Sequence, residues 1–296
     1  MLQPIYQLPS SPTHRPATLD SYSQAVERVI YTMRAQLSEP LCLEEMAEIA
    51  YLSPYHFNRV FRTITGIPPG EFLAALRLDA AKRLLLTTSL SATDVCFELG
   101  YISFGTFTTR FKQRVGVSPL HLRQLASVLA RDALPPLDMV SRKAKRLVAL
   151  PAHGVSGTIT TPRSFAGTIF IGMFPRPIPQ SRPVACATIT APGHFQIPLA
   201  PDGRYYVFAA GVPEARSALS YLLPETGMLV GVAAQPVVVC DGQASAPAEV
   251  ALRPRLPSDP PILGIFPPLL ALPGVVRSLT PFHMVVPTVQ DKRSAS

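Results

Sequence analysis

Ser53-Pro54-Tyr55-His56-Phe57-Asn58-Arg59-Val60-Phe61-Arg62, closed by Gly66-Ile67 and Pro69, returns fifty residues downstream as Ser103, Phe107, Phe111, Gly116-Val117 and Pro119. The stretch before it repeats too: Leu43, Met46, Ala47 and Ala50 match Ala92, Val95, Cys96 and Leu99 at an offset of 49. The one-residue slip falls in the turn between the halves of each unit, where an insertion costs least. Serine is a preferred helix N-cap, proline suits the first helical position, and glycine marks a helix stop. Phe57, Val60, Phe61 and Ile64 share one face of a helical period, as do Phe107, Phe111 and Val115 in the copy. A helix, a turn and a second, basic helix written twice is a duplicated helix-turn-helix. Two such second helices fit two successive major grooves of duplex DNA.

Outward from the repeat, Val26, Val29, Ile30 and Met33 predict a first helix from Asp20 or Ser21 to about residue 37, and a short second helix covers 43–50. The third covers 54–65. Phe72, Leu76, Ala80 and Leu84, four apart, predict a longer helix over 69–87. Its length of about 27 Å is on the scale of the ~34 Å DNA turn. Helices over 92–99 and 104–115, and one from 119 to about 126, complete the unit.

Length allows two domains. The net charge of +8 and pI near 9.6 suit a polyanionic partner. Residues 53–123 carry nine basic and four acidic side chains, against three basic and six acidic in 1–52, so the excess sits on the duplicated unit. Cys42, Cys96, Cys186 and Cys240 lack metal-site spacing, and no metal or cofactor is expected. Cys42 and Cys96 fall at apolar helical positions and read as small core residues. Without a disulfide framework or a signal-peptide pattern, a reducing cytoplasm is the expected location. The uncharged stretch 260–276 is broken by Pro267, Pro268 and Pro273 and reads as packed coil, not a membrane span.

Residues 1–18, with four prolines, read as a disordered arm, 19–126 as the helical domain, and 127–152 as a linker holding Arg142, Lys143, Lys145 and Arg146. From Pro151 onward lie 22 of the 33 prolines, among β-rich runs at 158–161, 168–174, 184–190, 194–199, 205–210, 228–232 and 237–240. Short strands with frequent turns predict an antiparallel β-sandwich over 153–256, followed by a proline-rich tail over 257–296. The expected fold class is α then β.

The exposed face of the third helix presents Tyr55, Asn58, Arg59 and Arg62. Asn pairs bidentately with adenine and Arg with guanine, whereas an ordinary solvated face would need no such choice. The sixth helix exposes Phe104, Gly105, Thr108, Thr109 and Lys112. Phe104 and the threonine methyls suit thymine methyls, and Gly105 admits a close backbone approach. Arg62, Lys112 and Arg123 are expected on phosphate, with the 142–146 cluster.

The run from Ser53 to Arg62, Gly66, Pro69, Arg77-Leu78 and Ala81 resembles the first half of the AraC/XylS-type DNA-binding domain. Gly100-Tyr101-Ile102-Ser103, Phe107, Phe111-Lys112, Gly116 to Pro119 and Leu122-Arg123 resemble its second half. The resemblance covers about 20–125 and implies seven helices, two helix-turn-helix units joined by the long helix, and docking on one side of DNA. It places Ser53, Tyr55, Asn58 and Arg59 of the first reader, and Phe104, Gly105, Thr108 and Thr109 of the second, at base-facing positions. It also implies a domain that binds a small-molecule effector or a protein partner, and contact with RNA polymerase. Two positions depart from the pattern. Tyr51 stands where the first turn usually has glycine, and Thr109 where arginine is frequent, which weakens guanine reading there; Arg110, one step round the helix, is expected on phosphate instead. His56 reads as packing or phosphate contact.

Pro192-Gly193-His194-Phe195-Gln196-Ile197 and Asp202-Gly203-Arg204-Tyr205-Tyr206-Val207 resemble a carboxypeptidase-regulatory or transthyretin-like sandwich; a gyrase-inhibitor-like domain would need more helices. An alkyl-acceptor repair enzyme would need a Pro-Cys-His-Arg site, which is absent, and Cys186 has no adjacent base. No enzyme activity is expected. The alternative to a sequence-specific regulator is a promoter-tethered interaction module whose main role lies in the β half.

Overall fold

The computed structural model describes residues 16–131, 154–162, 164–198, 200–213, 221–223 and 227–266. The arm over 1–15, the 142–146 cluster and the tail beyond 266 lie outside them. Seven helices form the first half: α1 Pro16–Ala35, α2 Leu43–Ile49, α3 Pro54–Thr65, α4 Pro69–Thr87, α5 Ala92–Glu98, α6 Phe104–Val115 and α7 Pro119–Arg131. α1 starts inside the expected arm, with proline at its first position, where the missing N–H costs nothing. α7 likewise continues past residue 126 into the expected linker.

The duplication is visible in the packing. Phe57 and Phe61 lie 5.4 Å apart in one unit, and Phe107 and Phe111 5.6 Å apart in the other, all four fully buried. Each such ring contributes about 1.5–3 kcal/mol by leaving water. Both reading helices end on a left-handed glycine, Gly66 at φ 82° and Gly116 at φ 96°. Both short helices begin with a capping box, Cys42 with Glu45 and Ser91 with Asp94. Cys42 is therefore not the core residue expected. It is exposed, and its thiol accepts from the Glu45 N–H where Ser91 uses a hydroxyl. Cys96 is buried as expected.

The turn between α1 and α2 ties the units together. Arg77 on α4 donates to the carbonyls of Leu37 at 2.7 Å and Glu39 at 2.6 Å. Gly100, left-handed at φ 73°, sits where any Cβ would strike the Ser38 carbonyl. Its counterpart in the first unit is Tyr51, left-handed at φ 57° but exposed, with the Arg28 guanidinium 5.7 Å above its ring.

Ten strands follow: β1 Gly154–Thr160, β2 Gly167–Phe174, β3 Ala185–Ile189, β4 Gly193–Pro198, β5 Gly203–Pro213, β6 Leu229–Val232, β7 Val237–Cys240, β8 Gln243–Ala244, β9 Ala248–Ala251 and β10 Arg253–Pro254. All seven runs read from the sequence are strands. They form a strand-rich, barrel-like sheet. β5 is long enough to serve two sets of neighbours, pairing with β7 at its start and with β2 and β6 further on. The expected all-antiparallel pattern is not kept. β1 runs parallel to β9, from Gly157 opposite Ala248 to Thr160 opposite Ala251, and parallel to β8. Parallel neighbours need a long connection, and seven strands lie between β1 and β9.

The two halves meet. One apolar cluster runs from the helices into Phe170, Ile178, Leu263, Ile265 and Phe266. The loop after β2 donates the Ser181 N–H to the Arg114 carbonyl near the end of α6. Glu71 on α4 pairs with Arg176 at 2.6 Å and Arg114 at 3.6 Å. The segment after β10, pinned at its start by a two-pronged Arg253–Asp259 pair at 2.7 Å, crosses to α4. There the Lys82 ammonium donates to the carbonyls of Ile262 and Leu263, both at 3.1 Å.

Candidate nucleic-acid interface

α3 is amphipathic by construction. Phe57, Val60, Phe61 and Ile64 are buried, which turns Ser53, Tyr55, Asn58, Arg59 and Arg62 outward. Tyr55 is 83% exposed. Ser53 has N-cap backbone geometry but makes no side-chain cap bond, so its hydroxyl faces out. His56 is half-buried with its ring edge-on to Tyr22 at 5.3 Å.

α6 repeats the arrangement with different chemistry. Phe104, Gly105, Thr109, Arg110 and Lys112 are exposed. A Cβ on Gly105 would meet nothing nearer than the Ser103 hydroxyl at 4.0 Å, so the protein's own packing does not demand glycine there. Thr108 is only half-buried, yet its hydroxyl is shielded and has no partner among the described residues. Ser103, unlike Ser53, spends its hydroxyl on the Thr106 N–H.

The nine cations of 53–123 divide sharply. Arg77, Lys82, Arg83, Arg114 and Arg123 are committed inside the protein. Arg123, expected on phosphate, is turned inward. Its guanidinium donates to the carbonyls of Leu85, Thr88 and Leu90 and so satisfies the end of α4 and the turn beyond it. Arg59, Arg62, Arg110 and Lys112 have no hydrogen-bonding or ion-pair partner among the described residues. All four lie on α3 and α6. No local pattern signals this division, since a cation's partner is set by tertiary contact.

Among the described residues no cluster of His, Cys, Asp or Glu is placed to hold a metal ion, and no helix is long and apolar enough to cross a membrane. Cys186 is solvent-accessible, but the apolar groups around it push its thiol up to about 11. At neutral pH it is a protonated, poor nucleophile.

A helix-turn-helix domain family matches residues 46–125. The chain is 32% identical over 106 residues to the bifunctional transcriptional activator/DNA repair enzyme AdaA of Bacillus subtilis, a match covering 36% of this chain and 50% of that protein. It is 31% identical over 97 residues to the HTH-type transcriptional activator AarP of Providencia stuartii, covering 33% of this chain and 72% of AarP. The solved DNA-binding domain of AdpA, in complex with a target DNA, shares 30% identity over 35% of this chain and 94% of its own, with a TM-score of 0.34. The chain thus spans about half the length of AdaA. Tandem helix-turn-helix units with matching outward faces have the form of a DNA-binding domain. The chain belongs to the AraC-type family of helix-turn-helix transcriptional regulators.

Proposed function

We propose that this protein grips duplex DNA from one side and reads a specific sequence, with α3 in one major groove and α6 in the next. One observation carries the proposal: equivalent faces of two helices fifty residues apart are exposed and hold the four cations of 53–123 without a partner among the described residues, while the β half docks on α4 and the end of α6 instead. Tyr55, Asn58 and Arg59, with Ser53, reach base edges in the first groove. In the second, Phe104, Thr108 and Thr109 meet thymine methyls, with Gly105 letting the helix backbone approach the bases closely; readout there leans on shape. Arg62, Arg110 and Lys112 take phosphate.

The β half is a two-sheet sandwich in this proposal, with β5 passing from one sheet to the other, and serves regulation. The protein acts in the cytoplasm, without catalysis, at promoters where RNA polymerase is within reach.

Selection of the full-length protein on random duplexes tests the proposal, an enriched motif with two half-sites being expected. Arg59→Ala then weakens the selected site by about 1–3 kcal/mol and relaxes one base position. Equal weakening on every sequence would make Arg59 a phosphate ligand. Lys112→Ala lowers affinity uniformly and makes the slope of log affinity against log salt shallower by about 0.9. An unchanged slope removes Lys112 from the interface.

A further inference from the structure

The face of β3, β2, β5 and β6 turned away from the β-half core is apolar. Along β2, Ile169, Ile171 and Met173 enter that core, while the alternate residues Phe170, Gly172 and Phe174 point the other way. Apart from its first residue, β2 is buried along its whole length, without the alternation of a sheet with one wet face. Among the described residues that second face is covered in part, by the segment 259–266, by Ile178 of the loop after β2 and by Tyr221, whose ring stands edge-on to Phe170 at 6.0 Å. Phe266 stacks flat on Phe170, with ring centroids 4.1 Å apart and planes 9° from parallel. Phe174, Phe208 and Val232 form a small apolar cluster that does not join the main one. Between the two lies a cleft, open to solvent on one side, with a free volume of about 60 Å³. It is lined by Phe170, Phe174, Phe208, Phe266, Cys186 and Thr188, among others.

The wall chemistry selects the occupant. Asp259, a charged residue at the cleft, has its carboxylate fully spent on Arg253 and the Leu256 N–H. An anion, a cation or a sugar would lose its hydration there without replacement. A flat aromatic ring finds phenylalanine faces and edges on several sides. The cleft's roof is also the segment whose Ile262 and Leu263 carbonyls hold Lys82 of α4, the helix between the two readers. Pro179, on its rim, accepts from the Leu263 and Gly264 N–H groups, and its loop carries the Ser181 bond to α6.

We propose that this cleft binds a small, uncharged aromatic molecule, and that its occupation reaches the DNA-reading helices through the 259–266 segment and Lys82. The coupling rests on the regulator function proposed above; the binding site does not. No step in bond chemistry is involved.

The test uses the full-length protein and the neutral dye N-phenyl-1-naphthylamine, whose emission rises in apolar surroundings. The chain has no tryptophan to compete optically. Saturable binding of one dye per chain is expected without DNA. Cys186→Phe, which places a ring in the cleft, weakens it at least tenfold, and Thr188→Phe does the same if the first variant fails to fold. Absence of saturable dye binding, or unchanged affinity in a folded Cys186→Phe protein, overturns the site. On the selected duplex, dye saturation changes DNA affinity about fivefold or more. Lys82→Met keeps dye binding and abolishes that change. A dye effect persisting in Lys82→Met overturns the route, and saturable binding with no effect on a bound duplex overturns the coupling. Failure to bind any duplex while dye still binds at Cys186-sensitive affinity refutes the DNA proposal and leaves the site standing.

Discussion

Gly100→Ala lowers the thermal midpoint by roughly 6–12 °C, through about 3 kcal/mol of lost stability. Two costs add. The residue holds φ 73°, a left-handed conformation that costs a side-chain-bearing residue about 1–2 kcal/mol. The new methyl also meets the Ser38 backbone, which cannot retreat because Arg77 holds the flanking Leu37 and Glu39 carbonyls. Tyr51→Gly is the matched control. It relieves left-handed strain in open surroundings but gives up the Arg28 contact, worth about 0.5–1 kcal/mol, so its stability stays within about 1 kcal/mol of the parent. Thermal unfolding followed by circular dichroism checks both. A Gly100→Ala protein melting with the parent would show that the Ser38 contact yields freely.

Lys82 predicts a second large effect, in pH. Its ammonium is completely buried, and desolvation pushes it down to about 8 from 10.5. Asp79 opposes that shift, whereas Arg83 on α4 and Arg255 on the crossing segment reinforce it; Arg34 on α1 faces the same Asp79, Arg83 and Arg255. Between pH 8 and 10.5 the unfolded chain keeps a proton that the folded chain has released, so stability rises with pH across that window. At 1.36 kcal/mol per unit the gain is about 3 kcal/mol. Lys82→Met removes this rise and leaves two carbonyls short of a donor, which offsets the relief of the buried charge near neutrality. Denaturant midpoints of both proteins at pH 7.5 and 10.5 check it. Parallel changes in the two would mean that Lys82 is not the group titrating.

The helical half was legible because its signals are local and written twice. Ser53, Gly66 and the phenylalanine spacing each mark an element, and the copy at residues 103–117 confirms the register. The same offset of 49 that aligns the short helices also puts Cys42 on Ser91, so its capping role was there to be read; residue type alone suggested a core thiol. Strand positions were legible from β-rich runs for β1 to β7 but not for the last three: β8 and β10 are two residues each, and Ala248-Glu249-Val250-Ala251 of β9 has weak strand propensity. The parallel pairing of β9 with β1 could not be seen, because it joins residues about ninety apart. The outward residues of α3 and α6 followed from helical period. Which cations remain for DNA did not: Arg123 and Lys112 look alike in sequence, and only distant carbonyls of Leu85 and Leu90 separate them.

The bond from Ser181 to Arg114 and the Lys82 grip on the crossing segment fasten the β half to the second reading helix and to the helix that joins the two readers. A body braced this way resists torsion between its two helical fingers. Each base pair inserted between half-sites swings the second by about 35° around the duplex axis. A loosely hinged protein would swivel to follow; in the DNA-reading mode proposed above a braced one is strained in twist instead, and spacing becomes part of the address it recognises.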